Sequence, residues 1–204
     1  MNSIKQIEVI YNNRLVGRLA LTREGLCAFE YSAEWLSSGF SISPFELPLR
    51  SGVFIAKPRP FEGGFGVFDD CLPDGWGLLI LDRYLQQKGI NPRTLTLLDR
   101  LALVGSTGRG ALEFRPDNSV VTRQDFADFE KLALEAEKIL ASDDYMGEGI
   151  EEFQDRGGSP GGARPKIFVR YNDKEWLVKF RAKRDSQSIG VDEYRYSLLA
   201  KECG

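Results

Sequence analysis

Residues 157–180, "GGSPGGARPKIFVRYNDKEWLVKF", run from a glycine-rich stretch into two strand-like segments, and the reading of that stretch decides the fold. Its first ten residues, Gly157 to Lys166, hold four glycines, two prolines, one serine and two basic side chains. Glycine reaches backbone angles closed to other residues and lets a ligand approach the main chain, so an interdomain hinge and a phosphate cradle share this composition. The flanks separate the two. Ile167 to Tyr171 reads as a strand, Asn172-Asp173-Lys174 as a turn and Glu175 to Phe180 as a second strand. Along the second strand Trp176, Val178 and Phe180 share one face, while Leu177 and Lys179 project from the other. Leu177 is thereby set to cover a ring beside the Lys179 ammonium. Thirteen residues beyond Lys179 a helix is expected to start near Asp192, with Tyr194, Leu198 and Leu199 on its buried side and Glu193 in its first turn.

Glycine loop, strand, strand with lysine and helix with glutamate is the order of parts in protein-kinase-like folds. There the loop amides, here those of Gly161, Gly162 and Ala163, lie over the phosphates of ATP. The strand lysine reaches the α and β phosphates, and the helix glutamate holds the lysine. A triphosphate carries several negative charges, so such a site needs unhindered N–H donors and a fixed cation. Arg164 and Lys166 add positive potential beside them. Each part also has a plainer use. A lysine in an edge strand blunts aggregation, a glutamate in a first helical turn favours the helix dipole, and the loop lacks a G-x-G-x-x-G pattern.

Composition narrows the chemistry further. With 204 residues, 42% of them hydrophobic, the chain has room for one large or two small domains with a proper core. A net charge of -3 offers no overall attraction to nucleic acid or anionic membrane, so any such contact would be local. The absence of histidine excludes serine-histidine triads, histidine general bases and histidine zinc sites. Cys27, Cys71 and Cys203 are odd in number and widely spaced, which suits a reducing compartment rather than a disulfide framework. No run approaches the ~20 apolar residues of a membrane helix, and the start, Met-Asn-Ser-Ile-Lys-Gln, lacks a signal peptide's apolar stretch. The expectation is a cytoplasmic protein with no membrane partner.

Upstream, residues 1–31 read as a small β meander. Ile7, Val9 and Tyr11 alternate, Asn12-Asn13 turns, Leu15, Gly17, Leu19 and Leu21 alternate again, and Glu24-Gly25 turns once more. Prolines and glycines from Ser37 to Gly66 leave only short strands such as Val53 to Ile55, in a segment expected to cover the sheet rather than extend it. A helix follows Leu72-Pro73-Asp74-Gly75, with Leu78, Leu81 and Leu85 on one face and Gly89 as its stop. A second runs from about Thr94 with Leu95, Leu98 and Ala102 at helical spacing. The glycines at 105, 108 and 110 follow a helix and precede the strand Ala111 to Phe114, the reverse of a nucleotide-binding order, so they read as a plain turn.

Thr122 with Asp125 forms a capping-box start for a long helix whose apolar face runs Phe126, Phe129, Leu132, Ala133, Ala136, Ile139 and Leu140. From Asp125 to Asp155 there are eleven acids against two lysines, and from Arg156 to Arg184 nine basic residues against two acids. That switch of sign marks the expected boundary between two domains, residues 1–120 and residues 121–204. The fold class is α+β: a small N-terminal β meander with helices, then a linker helix and an incomplete kinase-like N-lobe.

Several of these residues resemble the HipA family, the serine/threonine kinase toxins of bacterial toxin-antitoxin modules. "GGSPGGARPK" is similar to that family's Ser-x-x-Gly-Ala-x-x-Lys loop and "WLVKF" to its nucleotide-lysine strand. "FDDCLPDGWG" resembles its Leu-Pro-acid-Gly motif, and "LLDRLALVGSTGRGALEF" the helix, glycine turn and strand beyond it. The resemblance runs in order through nearly the whole chain. It implies a fold distantly related to protein and phosphatidylinositol kinases, and transfer of the ATP γ-phosphate to a protein substrate, an aminoacyl-tRNA synthetase in the best-known members. It further implies a helix-turn-helix antitoxin partner, through which alone DNA is contacted. By position, Ser159 corresponds to the loop serine that autophosphorylates, Lys179 to the ATP-binding lysine and Glu193 to its partner.

The chain departs from the family pattern in one respect. The catalytic aspartate and the Mg-holding Asn and Asp of such kinases lie beyond the position of Gly204, and no H-x-x-D or D-F-G follows the loop. These residues therefore read as an N-terminal portion, inactive alone, with ATP and Mg belonging to a longer parent. The alternatives are a non-catalytic antitoxin-binding or regulatory module, and a lipid or small-molecule kinase.

Overall fold

The computed structural model describes residues 4–119, 127–157, 162–182 and 184–204. Its class is α+β. β1 (Gln6–Tyr11), β2 (Arg14–Leu21) and β3 (Cys27–Tyr31) form the expected meander. Asn12 and Asn13, at φ 47° and 60°, make the tight turn between β1 and β2. The alternation slips by one residue because Val9 pairs with Gly17 but Ile10 with Leu15, which leaves Val16 as a bulge. Val16 and Leu19 are therefore the buried pair on β2, and Leu15 and Leu21 stay half-buried.

After α1 (Ala33–Ser38), the proline-rich segment does more than cover the sheet, since β4 (Val53–Ile55) pairs with β3 and becomes an edge strand. The hydroxyl of buried Tyr31 anchors this irregular stretch, donating to the Leu47 carbonyl at 2.6 Å and accepting from the Ile42 N–H at 3.1 Å. After the short α2 (Gly66–Asp69), α3 (Gly75–Gln87) ends as expected before Gly89 at φ 75°. Its buried face differs from the expected one. Trp76, Ile80, Leu81 and Leu85 are buried, while Leu78 faces outward, because α3 turns Trp76 and Ile80 into a second core.

The next helix starts later than Thr94. A 3-10 turn, Pro92–Thr94, precedes α4 (Leu97–Val104), whose true start is a capping box between Thr96 and Asp99. The glycine turn then delivers β5 (Glu113–Arg115) to β1, completing an antiparallel sheet of order β4-β3-β2-β1-β5. The first core lies beneath this sheet and includes Val9, Leu19, Phe29, Phe68, Leu98 and Phe114.

The expected helix start at Thr122, with Phe126, lies outside the described residues. α5 (Phe129–Ala141) begins where the Asp128 side chain accepts the Lys131 N–H at 3.0 Å, and it buries Leu132, Ala136 and Ile139. A helix not anticipated from sequence, α6 (Gly149–Gly157), leads into the glycine loop. The hairpin follows as β6 (Lys166–Tyr171) and β7 (Lys174–Lys179), turned at Asn172 and Asp173 and separate from the larger sheet. The last helix, α7 (Ile189–Glu202), starts before Asp192. Tyr194, Leu198 and Leu199, expected on a buried side, are all exposed, because none of the described elements covers that face.

A second core joins Trp76 and Ile80 of α3 to Leu132, Ile139, Phe153 and Ile167. The Trp76 and Phe153 rings meet edge to face at 5.0 Å. This core draws on residues from both sides of the charge switch.

Candidate phosphate-binding site

Hairpin register places the cations of the site. Lys166 and Lys179 are cross-strand partners, so both side chains leave the same face of the hairpin. Lys166 is only 6% exposed, and its Nζ donates to the Gly162 carbonyl at 3.2 Å. Burial lowers its pKa, an effect that Asp74 opposes and that the neighbouring Lys179 and Arg164 reinforce. Lys179 Nζ reaches Glu193 Oε1 on α7 at 2.9 Å, so the structure brings together the strand lysine and the helix glutamate. Leu177 leaves the same face of β7 and is exposed. Arg164 forms a two-pronged pair with Asp185, at 3.1 and 3.0 Å, and comes within 3.9 Å of Glu193.

Ser159 and Gly161 lie outside the described residues. Gly162 and Ala163 are described, and Gly162, at φ 93°, does not hold its amide open. Its N–H donates to Asp74 Oδ1 at 2.7 Å, and its carbonyl accepts the Trp76 N–H at 3.0 Å. The loop therefore rests on the first turn of α3. Gly75, between the two contacts, has no room for a side chain, since a Cβ there would stand 2.7 Å from the Gly162 carbonyl carbon.

The sequence reading missed Asp74 as a partner of the loop. Leu72-Pro73-Asp74-Gly75 signals a helix start, and nothing in local spacing links it to a residue 88 positions away. Arg109 was missed as well. Its guanidinium lies 3.5 Å from the centre of the Phe168 ring and pairs with Glu175 at 2.7 Å, which ties the Gly105 to Gly110 turn to the hairpin.

Lys166, Lys179 and Arg164 converge here, each facing a carboxylate (Asp74, Glu193 and Asp185), and their clustered N–H donors are of the kind that binds an anion such as phosphate. They do not suit a metal. No group of three or more His, Cys, Asp or Glu able to hold one occurs among the described residues. Burial pushes the Cys27 thiol up to about 11, and burial with Asp70 pushes Cys71 up to about 11, which disfavours the reactive thiolate at both positions. A cavity of about 610 Å³ is lined by Pro73, Asp74 and Gly75 together with Leu21, Phe61 and Leu97. It does not include either lysine.

No helix among the described residues is long and apolar enough to cross a membrane. No curated protein matches the chain. The family model described as the HipA N-terminal domain matches residues 7–115, from the first strand of the sheet to the last. With more than half of its residues inside that match, the chain belongs to the HipA N-terminal domain family.

Proposed function

We propose that the chain is the nucleotide-facing N-terminal portion of a HipA-like toxin kinase, which moves the ATP γ-phosphate to Ser or Thr of a protein and is neutralised by a DNA-binding antitoxin. The observation that carries this reading is the 2.9 Å pair between Lys179 on β7 and Glu193 on α7, opposite the end of the glycine loop. A glutamate that holds a strand lysine extended prepares a fixed cation for the α and β phosphates, and Lys166 and Arg164 deepen the positive potential there. Gly162 and Ala163 close the described end of the cradle, and Leu177 supplies an apolar surface for the base. Ser159 is the proposed site of self-phosphorylation. A phosphate on it would add about -1.5 to -2 charges where bound nucleotide needs positive potential. The acids that hold Mg and accept the substrate proton would come from polypeptide outside these residues.

The test is titration of the 204-residue chain with ATP, followed by calorimetry. Weak binding that disappears in Lys179→Met supports the reading, and equal binding by the variant rejects it. A non-catalytic, partner-binding reading draws on α7, where Val191, Tyr194, Tyr196, Leu198 and Leu199 are all exposed. Under that reading Lys179→Met has no effect on ATP, and substitutions along α7 weaken antitoxin binding instead.

A further inference from the structure

Asp74 stands at the N-cap position of α3, where an aspartate ordinarily accepts an N–H from its own helix. It makes no such cap. Its Oδ1 instead accepts the Gly162 N–H at 2.7 Å, while the Trp76 N–H of the same turn goes to the Gly162 carbonyl at 3.0 Å. Asp74 also acts electrostatically on Lys166, whose ammonium bonds the same carbonyl. One carboxylate thus takes a loop amide and faces a buried lysine, the two kinds of donor that a phosphate oxygen would use.

We propose that the Asp74 carboxylate already occupies the anion position between the Gly162 N–H and Lys166, and that an incoming phosphate must displace it from Gly162 in order to bind there. The inference rests on the reading of the loop as a phosphate site. The competition is direct, because the Gly162 N–H is a single donor and an anion that takes it leaves Asp74 without its partner. It is also electrostatic, since a second negative charge beside Lys166 is repelled by the first. The absence of a side chain at Gly75 allows the close approach. Because the Trp76 N–H bonds the carbonyl of the same Gly162, an anion that shifts Gly162 is felt at the first turn of α3 and at Trp76 of the second core.

The experiment uses the whole 15N-labelled chain and inorganic pyrophosphate as probe. In the wild type, the Gly162 and Trp76 amide resonances should move together along one saturation curve as the shared contact opens. Asp74→Asn, which keeps a hydrogen-bonding side chain but loses the charge, should bind pyrophosphate about three- to tenfold more tightly. Asp74→Glu should return toward the wild-type affinity. Equal or weaker binding by Asp74→Asn, or a wild type that binds while its Trp76 amide stays still, overturns the proposal. If neither protein binds pyrophosphate, and Lys179→Met does not alter ATP titration, the phosphate-site reading itself has failed and the inference goes with it.

Discussion

The five-stranded sheet and α7 treat apolar side chains in opposite ways. Beneath the sheet, Phe29 and Phe68 pack ring against ring at 5.4 Å with no exposure, and Phe114 closes on Phe68 at 6.4 Å. On α7, Tyr194 and Tyr196 are 63% and 73% exposed and no residue is buried. The helix is held to the hairpin by the Lys179–Glu193 ion pair instead. The sheet closes its own core, whereas α7 keeps its glutamate paired and its apolar side chains open. Stability and ligand chemistry are therefore separable by mutation.

The largest effect should come from the closed region. Phe68→Ala removes a ring with three aromatic neighbours and should lower stability by about 3–5 kcal/mol, read from the midpoint of urea unfolding. Ile167→Ala, in the second core, should lower it by about 2–5 kcal/mol. Because α3 puts Trp76 and Ile80 into that second core and pairs its Asp82 with Arg100 of α4 at 3.1 Å, both cores should melt in one transition. Two separate transitions would break the picture of α3 as the joint between them.

Asp99 gives an effect of middle size. It is 4% exposed, and burial pushes its carboxyl up. The N–H of Ile4 and the hydroxyl and N–H of Thr96 outweigh that push and hold the carboxyl below its ordinary range. A carboxyl depressed by folding stabilises above its unfolded value, about 3.9, and that contribution is lost as pH falls through the folded value. Asp99→Asn should therefore cost about 1–3 kcal/mol at neutral pH, and the gap to wild type should narrow below about pH 4. Urea midpoints at several pH values check it, and a gap that widens in acid would be the contrary result.

The smallest effects belong to the open region. Lys179→Met breaks an exposed pair, worth about 0–1 kcal/mol, and should change ATP binding far more than the melting temperature. Leu198→Ala should shift stability by no more than about 0.5 kcal/mol. A loss above about 1 kcal/mol would mean that α7 buries more than the described residues account for, and the contrast between the two regions would have to be redrawn.

Local rules made much of this molecule legible in advance. The turns at Asn12-Asn13 and Asn172-Asp173 follow from residues that tolerate positive φ, and the hairpin and meander from alternation around them. The order of loop, strand lysine and helix glutamate was readable too, because each part announces itself within a few residues. What escaped was whatever depends on partners far along the chain. The Val16 bulge changes which side chains face the core, and periodicity alone does not reveal a change of register. The open face of α7 was misread because apolar spacing on a helix shows a stripe but not whether anything covers it.

By itself the sequence determined the α+β class, the absence of histidine chemistry, the turns, and a lysine and glutamate spaced to meet across β7 and α7. Only the tertiary structure decided that Asp74 leaves its own helix uncapped and takes the Gly162 amide, that Trp76 belongs to the second core, and that Arg109 covers Phe168. The physical reason is range. Backbone preference and side-chain alternation act over a few residues and are written in local order. A carboxylate's choice between two amides is settled by which of them the packed chain brings within about 3 Å.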